Sequence, residues 1–246
     1  MGTFGTAPTD VRAIRQDVAE ATTADGFAVV RAERLRTIVA DEELVPFSEF
    51  WNDLHLDEDL PDGATFRYRR YGRLRVETGP HGVSLDVLPH VSFRQDSIPL
   101  WSGSERRFAP IEDRVLLHPG MAALVRFDTE VATELSDVRA WTVGIHQIRM
   151  IARPGVQGLP TPEGRHRDGH HFVGMHLINR VHCDGGESTI YPERRDPVRL
   201  TLTDPLDSMV VDDRRVTHEV SPIRATGADG VRDMLFVDIN PACAAG

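Results

Sequence analysis

Three histidines and an aspartate are crowded into the segment GRHRDGHHF, residues 164–172. His166 and Asp168 lie two positions apart, just before a run with the composition of a β-strand. His218 follows fifty positions after Asp168, in a second strand-like segment, RVTHEVSPI. Two imidazoles and one carboxylate on one face of an octahedron leave three positions open, which is the ligand set of non-haem Fe(II) enzymes. Zinc also binds His and Asp, so the residue types alone leave both metals open.

Two other interpretations of this segment fail on its spacing. A protein-kinase catalytic loop reads H-R-D-x-x-x-x-N, but Val173 stands in the asparagine position, and the chain contains no lysine to bind phosphate. His166 and His170 have the i,i+4 spacing of a zinc-protease helix, but that motif requires H-E-x-x-H, and Gly169 lies inside the pair. An open metal site therefore remains the better hypothesis.

Arg232 lies fourteen positions after His218, in GVRDMLFVDI. If the two segments are neighbouring strands, its guanidinium can enter the same cavity and bind a carboxylate through two parallel hydrogen bonds. A 2-oxoglutarate site requires such an arginine, whereas a zinc hydrolase does not. The competing interpretation is a surface ion pair, for which the adjacent Asp233 is available.

Composition excludes several classes of function. The 246-residue chain has 40% hydrophobic and 27% charged residues and a formal net charge of −10, which argues against general nucleic-acid binding. No apolar run has membrane-spanning length, and the first residues lack a basic and then apolar signal, so we expect no membrane association. Cys183 and Cys243 lack metal-type spacing, which favours a reducing cytoplasm. All 28 basic residues are arginine, so no lysine can form a Schiff base.

The surrounding pattern predicts a mainly β protein. Residues 9–55 have helical spacing in pieces, with a strand candidate in GFAVVRA, and PGMAALVRFDTEVATEL predicts a further helix. After residue 139 the chain consists of short strand-like runs separated by turns such as CDGG and ATGADG. We therefore predict one domain over residues 1–246, with a mainly helical section at 1–60 and a β-rich core at 64–240. An antiparallel sandwich or jelly roll fits this pattern.

One predicted strand, FRYRRYGRLRV, has an unusual face. Alternation places Arg67, Arg69, Tyr71, Arg73 and Arg75 together. In an acidic protein we interpret this face as solvent-exposed, with phosphate binding or docking of a carrier as the alternatives.

The long segment PEGRHRDGHHFVGMHLINRVHCDGGESTIY, with HQIRMIA, THEVSPI and RDMLFVDI, closely resembles the bacterial 2-oxoglutarate/Fe(II) dioxygenase family that includes L-isoleucine 4-hydroxylases. FWNDLHLDEDLPDGATFRYRRYGRL is similar to the family's N-terminal section, so the resemblance covers most of residues 47–240. It implies a double-stranded β-helix of the jelly-roll, cupin-like class, with iron ligands at His166, Asp168 and His218 and the 2-oxoglutarate arginine at Arg232.

The resemblance also implies the reaction. We expect Fe(II), O2 and 2-oxoglutarate to hydroxylate an unactivated C–H bond of a small molecule, best fitted by a free L-amino acid, with release of succinate and CO2. The same chemistry on a peptide- or carrier-bound amino acid, a zinc-dependent hydrolase, and a non-catalytic cupin-like binding protein remain the alternatives.

Three further residues are candidates for substrate binding. Gln147 and Arg149 share one face of HQIRMIA, and Glu187 follows the CDGG turn. If they line the cavity, we expect Arg149 to bind a substrate carboxylate, Gln147 a polar group and Glu187 an ammonium group. A position on the surface of an edge strand is the competing interpretation for Gln147 and Arg149. The sequence assigns no role to the neighbouring His170 and His171.

Overall fold

The computed structural model describes residues 11–79 and 82–242. Five α-helices are present in this part of the chain: α1 Val11–Asp25, α2 Ala32–Leu35, α3 Asp41–Ser48, α4 Asp113–Leu116 and α5 Pro119–Glu134. Two short 3-10 helices lie between α3 and β3, at Glu49–Asp53 and Pro61–Gly63. The strands are β1 Phe27–Val30, β2 His55–Leu56, β3 Arg67–Gly79, β4 Gly82–Val87, β5 Ala109–Pro110, β6 Ala140–Ala152, β7 Phe172–Val181, β8 Cys183–Gly185, β9 Glu187–Pro192, β10 Val198–Thr201, β11 Ser208–Asp212, β12 Val216–Val220, β13 Ile223–Ala225 and β14 Gly230–Pro241.

The strands form one large sheet and a smaller layer opposite it. The large sheet has the order β1-β11-β7-β14-β6-β3-β2, with β4 and β5 added to β3, and only the β3–β5 pairing is parallel. The smaller layer contains β10-β9-β12 and the separate pair β13-β8. Because neighbouring strands of the large sheet come from distant parts of the sequence, this topology is a jelly roll, and the predicted mainly β fold is confirmed.

Alternation divides the side chains of the large sheet between two cores. Met175 of β7 and Met234 of β14 face the smaller layer, where they pack with Ile190 of β9 and Val216 of β12. The opposite face of the sheet packs against α1 and α5. Side chains that are two positions apart therefore share a core, and a shift of one position moves a side chain to the other face.

The helical side of the sheet is a closed core built around large aromatic groups. Trp51 and Trp141 are fully buried there, and the Trp51 indole donates a hydrogen bond of 3.1 Å to the carbonyl of Met234. His176 of β7 pairs with Asp128 of α5 at 2.8 Å, and both side chains are fully buried. This helical layer supports the large sheet from behind and leaves its other face to form the cavity.

Several simpler predictions can be compared directly. The predicted strand in GFAVVRA is β1, and the predicted helix in PGMAALVRFDTEVATEL is α5. Cys183 is a free, buried thiol, whereas Cys243 lies outside the described residues. No helix in the described ranges is long and apolar enough to cross a membrane.

Candidate metal centre and its cavity

His166, Asp168 and His218 meet at one end of the space between the two sheets. Their potential ligand atoms all lie within 4.8 Å of one another. Asp168 Oδ1 is 3.3 Å from His166 Nε2, and Asp168 Oδ2 is 3.4 Å from His218 Nε2. His166 lies in the loop before β7 and His218 lies in β12, so the fold brings together two residues that are 52 positions apart in the sequence.

The imidazole of His166 is oriented for ligation through Nε2. Its Nδ1 is 2.9 Å from the carbonyl oxygen of Gly164, to which a protonated Nδ1 donates a hydrogen bond. This contact directs Nε2 toward Asp168 and His218, where a metal would replace its proton, in the way that a carbonyl commonly orients a metal-binding histidine. On the other side of the triad, Asp168 Oδ2 is buried without a hydrogen-bond donor among the described residues. A cation between the three groups would satisfy that oxygen.

The electrostatics of the triad also fit a cation. Burial raises the pKa of the Asp168 carboxyl, but His218 and His166 lower it by more, so the net direction is downward. Burial lowers the pKa of His166, whereas the hydrogen bond and charge of Asp168 raise it to about 9. The carboxylate is therefore ionised at neutral pH, as a metal ligand must be. Two imidazoles and an ionised carboxylate are a donor set that fits Fe(II), the metal that the sequence resemblance implies.

Asp213 fixes the backbone of the loop that carries Asp168. Its Oδ1 accepts the N–H of Asp168 at 3.0 Å, and its Oδ2 accepts those of Gly169 and His170 at 2.7 and 3.0 Å. Gly169 has φ of +93°, and a Cβ there would lie 2.5 Å from the hydroxyl oxygen of Ser97. The turn therefore depends on glycine as well as on the carboxylate of Asp213.

Arg232 lines the same cavity from β14 and is only 3% exposed. Its Nε has no hydrogen-bond partner among the described residues. Burial and then Arg180 lower the pKa of Arg232 to about 10, against the opposing effect of Cys183, so the guanidinium stays charged at neutral pH. A buried cation of this kind is costly unless an anion pairs with it. Arg232 has no carboxylate partner among the described residues, and the alternative ion pair with Asp233 is absent, because Asp233 pairs with Arg149.

The structure brings none of the three candidate substrate residues to this cavity. On β6, His146 and Ile148 face the cavity, so Gln147 and Arg149 point to the opposite side of the sheet. Arg149 donates to both carboxylate oxygens of Asp233 at 2.7 and 2.8 Å. Glu187 is exposed, and the next residue on its strand lines the cavity instead. Sequence alternation correctly predicted that Gln147 and Arg149 share one face of β6. It could not predict which of the two faces of this strand lines the cavity.

The interpretation of the arginine-rich face of β3 as solvent-exposed is wrong at its first three positions, because Arg67, Arg69 and Tyr71 are all buried. Arg67 is 5% exposed and Arg69 is 6% exposed, and both line the cavity. The segment between β4 and β5 covers this face, because Phe93, Trp101 and Arg106 from that segment line the same cavity. The alternation of arginines along β3, next to aromatic residues, was the sequence signal for a binding site here. The segment that covers this face has no helix or strand, so no periodic pattern in the sequence predicted that it would bury the arginines.

Sequence reasoning also missed several polar residues of the cavity. Asp238 of β14 lies 2.9 Å from Nε2 of His146 and 3.1 Å from Nε2 of His170, and Asn240 lies 2.8 Å from Nδ1 of His170. His170 therefore belongs to a buried carboxylate–imidazole network beside the triad. The network also includes Arg69, which is 2.6 Å from Nδ1 of His146.

Comparison with known proteins agrees with this architecture. The model of the 2OG-Fe dioxygenase family matches residues 48–238. L-isoleucine-4-hydroxylase from Bacillus thuringiensis is 30% identical over 141 residues, which are 55% of this chain and 58% of that protein. The alignment thus spans little more than half of that relative's length.

Two solved structures are similar over nearly the whole chain. A bsmA homolog from Methylobium petroleophilum is 28% identical with a TM-score of 0.85, over 94% of this chain and 95% of that one. IDO from Bacillus thuringiensis is 22% identical with a TM-score of 0.74, over 99% of both chains. With the family model matching most of the chain, this protein is a member of the 2OG-Fe dioxygenase family.

Proposed function

We propose that this oxygenase hydroxylates an unactivated C–H bond of a free L-amino acid. In this proposal His166, Asp168 and His218 bind the iron, and Arg232 binds the far carboxylate of 2-oxoglutarate. The observation that carries the proposal is a single cavity in which three convergent ligand groups and an unpaired buried guanidinium lie together. When bound, iron and 2-oxoglutarate supply the oxidation: O2 gives one oxygen atom to the substrate and one to succinate, with release of CO2.

The chain's own residues position the reactants. The Gly164 carbonyl orients the His166 ring, and Asp213 holds the turn that carries Asp168. Arg232 supplies a fixed positive charge in a place that excludes bulk water, where a charge-assisted pair is stronger than in solution. Contacts within the protein hold these groups, which reduces the reorganisation needed for reaction.

The walls of the cavity support an aliphatic or thioether side chain as the reacting group. Apolar residues of β7, β11 and β14, and the residue directly after β10, cover one side of the cavity: Met175, Leu202, Met209, Met234 and Phe236. The curated relative bears the name L-isoleucine-4-hydroxylase, which is consistent with a branched aliphatic amino acid. We therefore expect isoleucine, leucine or methionine among the substrates.

Two other functions, a zinc hydrolase and a non-catalytic binding protein, are less well supported, and so is docking of a carrier. Family membership favours the oxygenase over a zinc hydrolase and over a non-catalytic binding protein. A carrier-docking role for the arginine face of β3 is not supported, because Arg67 and Arg69 are buried within the cavity.

The test has two stages. Anaerobic protein with Fe(II) and 2-oxoglutarate should develop a weak visible absorption band. The complex is then exposed to O2 and ascorbate with each standard L-amino acid, and mass spectrometry should detect one added oxygen with an equal amount of succinate. Oxidation of a peptidic or carrier-bound amino acid, but of no free one, would contradict the free-substrate part of the proposal. Absence of the band would contradict the assignment of the centre.

A further inference from the structure

Three arginines surround one buried aspartate at the side of the cavity lined by β3. Asp57 Oδ2 accepts a hydrogen bond of 2.7 Å from Arg67 Nε and one of 3.0 Å from Arg106 Nη2. It also lies 3.8 Å from Arg69 Nη1. Asp57 is 1% exposed, and the three arginine side chains are at least nine-tenths buried. We name these four residues the arginine cluster.

The four residues of the arginine cluster carry two more positive charges than negative ones, and Asp59, 3.8 Å from Arg106 Nε, reduces the local excess to one. Arg67 Nη2, Arg69 Nε and Arg106 Nε are buried and have no hydrogen-bond acceptor among the described residues. Burial lowers the pKa of Arg106 to about 10, with Asp57 opposing and Arg67 adding to the shift. Burial and then Arg106 and Arg67 lower the pKa of Arg69. Positive charges that repel one another in a buried site are stabilised when an anion binds between them, so such a cluster is a binding site for an anion.

Aromatic rings hold the guanidinium groups in place. The guanidinium carbon of Arg106 lies 4.1 Å from the Trp101 ring centroid and 4.8 Å from that of Phe108. The corresponding carbon of Arg69 lies 3.9 Å from the Phe108 centroid. Stacked guanidiniums keep their donors fixed, so the cluster is preorganised rather than assembled by the ligand.

Gln95 connects the arginine cluster to the candidate metal centre through two hydrogen bonds. Arg106 Nη1 donates to Gln95 Oε1 at 3.4 Å, and Gln95 Nε2 donates to Asp168 Oδ1 at the same distance. A ligand on the cluster therefore lies next to the triad. Arg232 on β14 and Arg67 on β3 both pair with Met150 of β6, so one strand lies between them and the cavity presents arginines from two positions.

A complementary acid completes the site. Glu163 lines the same cavity, with its Oε1 3.7 Å from His166 Nε2. Its Oε2 is buried without a hydrogen-bond donor among the described residues. Glu163 is close enough for its charge to influence the pKa of Arg106. An unpaired acceptor near an excess of cationic donors is the arrangement that a zwitterion requires.

We propose that Arg67, Arg69 and Arg106 bind the carboxylate of the substrate and that Glu163 accepts a hydrogen bond from its ammonium group. This inference rests on the proposed function and deepens it, because it requires the substrate to carry a free α-carboxylate beside a free amine. The reacting side chain then extends toward the triad along the methionine-rich wall.

The experiment measures binding in the absence of O2, so it does not depend on turnover. Protein with Fe(II) and 2-oxoglutarate, with its visible band established, is titrated with each standard L-amino acid, and the shift in the band and in the melting temperature is recorded. Each amino acid that binds is compared with its C-terminal amide and its N-acetyl derivative. We expect both derivatives to bind about tenfold more weakly or worse, because each loses a charge-assisted contact.

Variants assign the two effects to residues. Arg106→Met should weaken binding of the free acid by about tenfold or more and reduce its advantage over the amide. Glu163→Gln should reduce the advantage over the N-acetyl derivative. Arg75→Gln is the control. Arg75 lies on β3 with Arg67 and Arg69, but it pairs with Glu77 at 2.9 Å and does not line the cavity. The visible band should keep its 2-oxoglutarate dependence in all three, which also shows that they fold.

The outcomes separate the two proposals. Three outcomes would overturn the subsite even with the visible band present. No free amino acid binds, the wild-type protein binds acid and amide equally, or Arg106→Met keeps the wild-type preference for the acid. If Arg106→Met loses its 2-oxoglutarate dependence while Arg232→Lys retains it, the arginine cluster is the co-substrate site and the inference is wrong. Absence of the band in the wild-type protein contradicts the proposed function itself. The acid and amide comparison needs no variant, so a poorly folding Arg106→Met does not prevent the test.

Discussion

The main chains of His166 and His218 are paired by two hydrogen bonds, one in each direction, of 3.0 and 2.9 Å. This isolated antiparallel bridge joins the loop before β7 to β12 and places the two imidazole centroids 4.5 Å apart. Backbone pairing thus holds the two imidazoles next to each other. A site arranged in this way is expected to be preformed, and the predictions below test its parts.

Replacement of any member of the triad should abolish turnover. His166→Ala, Asp168→Ala and His218→Ala each remove one of three protein ligands, so iron affinity should fall sharply and succinate formation should drop to background. Iron content after dialysis and succinate release are the measurements. His171→Ala serves as the control, because His171 lies in the same loop but outside the triad. Full turnover by a folded triad variant would remove that residue from the ligand set.

Arg232→Lys should separate co-substrate binding from metal binding. Lysine keeps the charge but lacks the planar pair of donors, and a hydrogen bond to a charged group is worth about 1.5–3 kcal/mol. We expect the 2-oxoglutarate concentration at half-maximal rate to rise about tenfold or more, with iron affinity retained. The exposed Arg224 offers a matched Arg→Lys control. An unchanged requirement for 2-oxoglutarate would assign the far carboxylate to another arginine.

Asp213→Ala should weaken the metal centre without removing a ligand. The substitution releases the N–H groups of Asp168, Gly169 and His170, which frees the turn that carries the Asp168 carboxylate. Loss of a residue that orients a metal ligand commonly costs about 10–100-fold in metal affinity, and we expect a change of that size. Iron titration measures it, with Asp229→Ala in an exposed turn as the control. Wild-type iron affinity in Asp213→Ala would show that the loop holds its shape unaided.

His146 should make stability fall in mild acid. Burial lowers its pKa to about 4, with Asp238 opposing and Arg69 adding to the shift, so the folded protein keeps the ring neutral. The unfolded chain takes up a proton near the ordinary value, about 6.5, so this contribution is complete above that pH and is lost as the pH falls toward 4. We expect His146 by itself to contribute a decrease of about 2–3 kcal/mol in the free energy of unfolding between pH 7 and pH 4.5, seen as the difference between the wild-type protein and His146→Asn.

Denaturant titration at the two pH values measures this decrease. His146→Asn should lack most of it, whereas a variant of the exposed His55 should keep it. Equal pH dependence in the wild-type protein and His146→Asn would show that other groups cause the loss of stability.

Local patterns were sufficient to predict the general architecture. The turn-separated strand runs after residue 139 predicted a jelly roll, and the spacing of residues 119–135 predicted helix α5. These features depend on period and turn chemistry, which neighbouring residues determine. The segment around His166 and Asp168, with His218 and Arg232, indicated where a metal and a dicarboxylate could bind, and the structure brings these four residues to one cavity.

The tertiary structure decided which face of each strand meets the cavity. On β6 the sequence placed Gln147 and Arg149 together, but His146 and Ile148 face the site, because the helical layer covers the other side of the sheet. On β3 the same alternation grouped Arg67 with Arg69, but only the segment that contributes Trp101 and Arg106 buries them. Periodicity relates residues on one strand, whereas burial depends on what the rest of the chain lays over it. The sequence by itself therefore determined the strands and the residues able to bind metal, and the packing of distant segments alone decided which charges line the cavity.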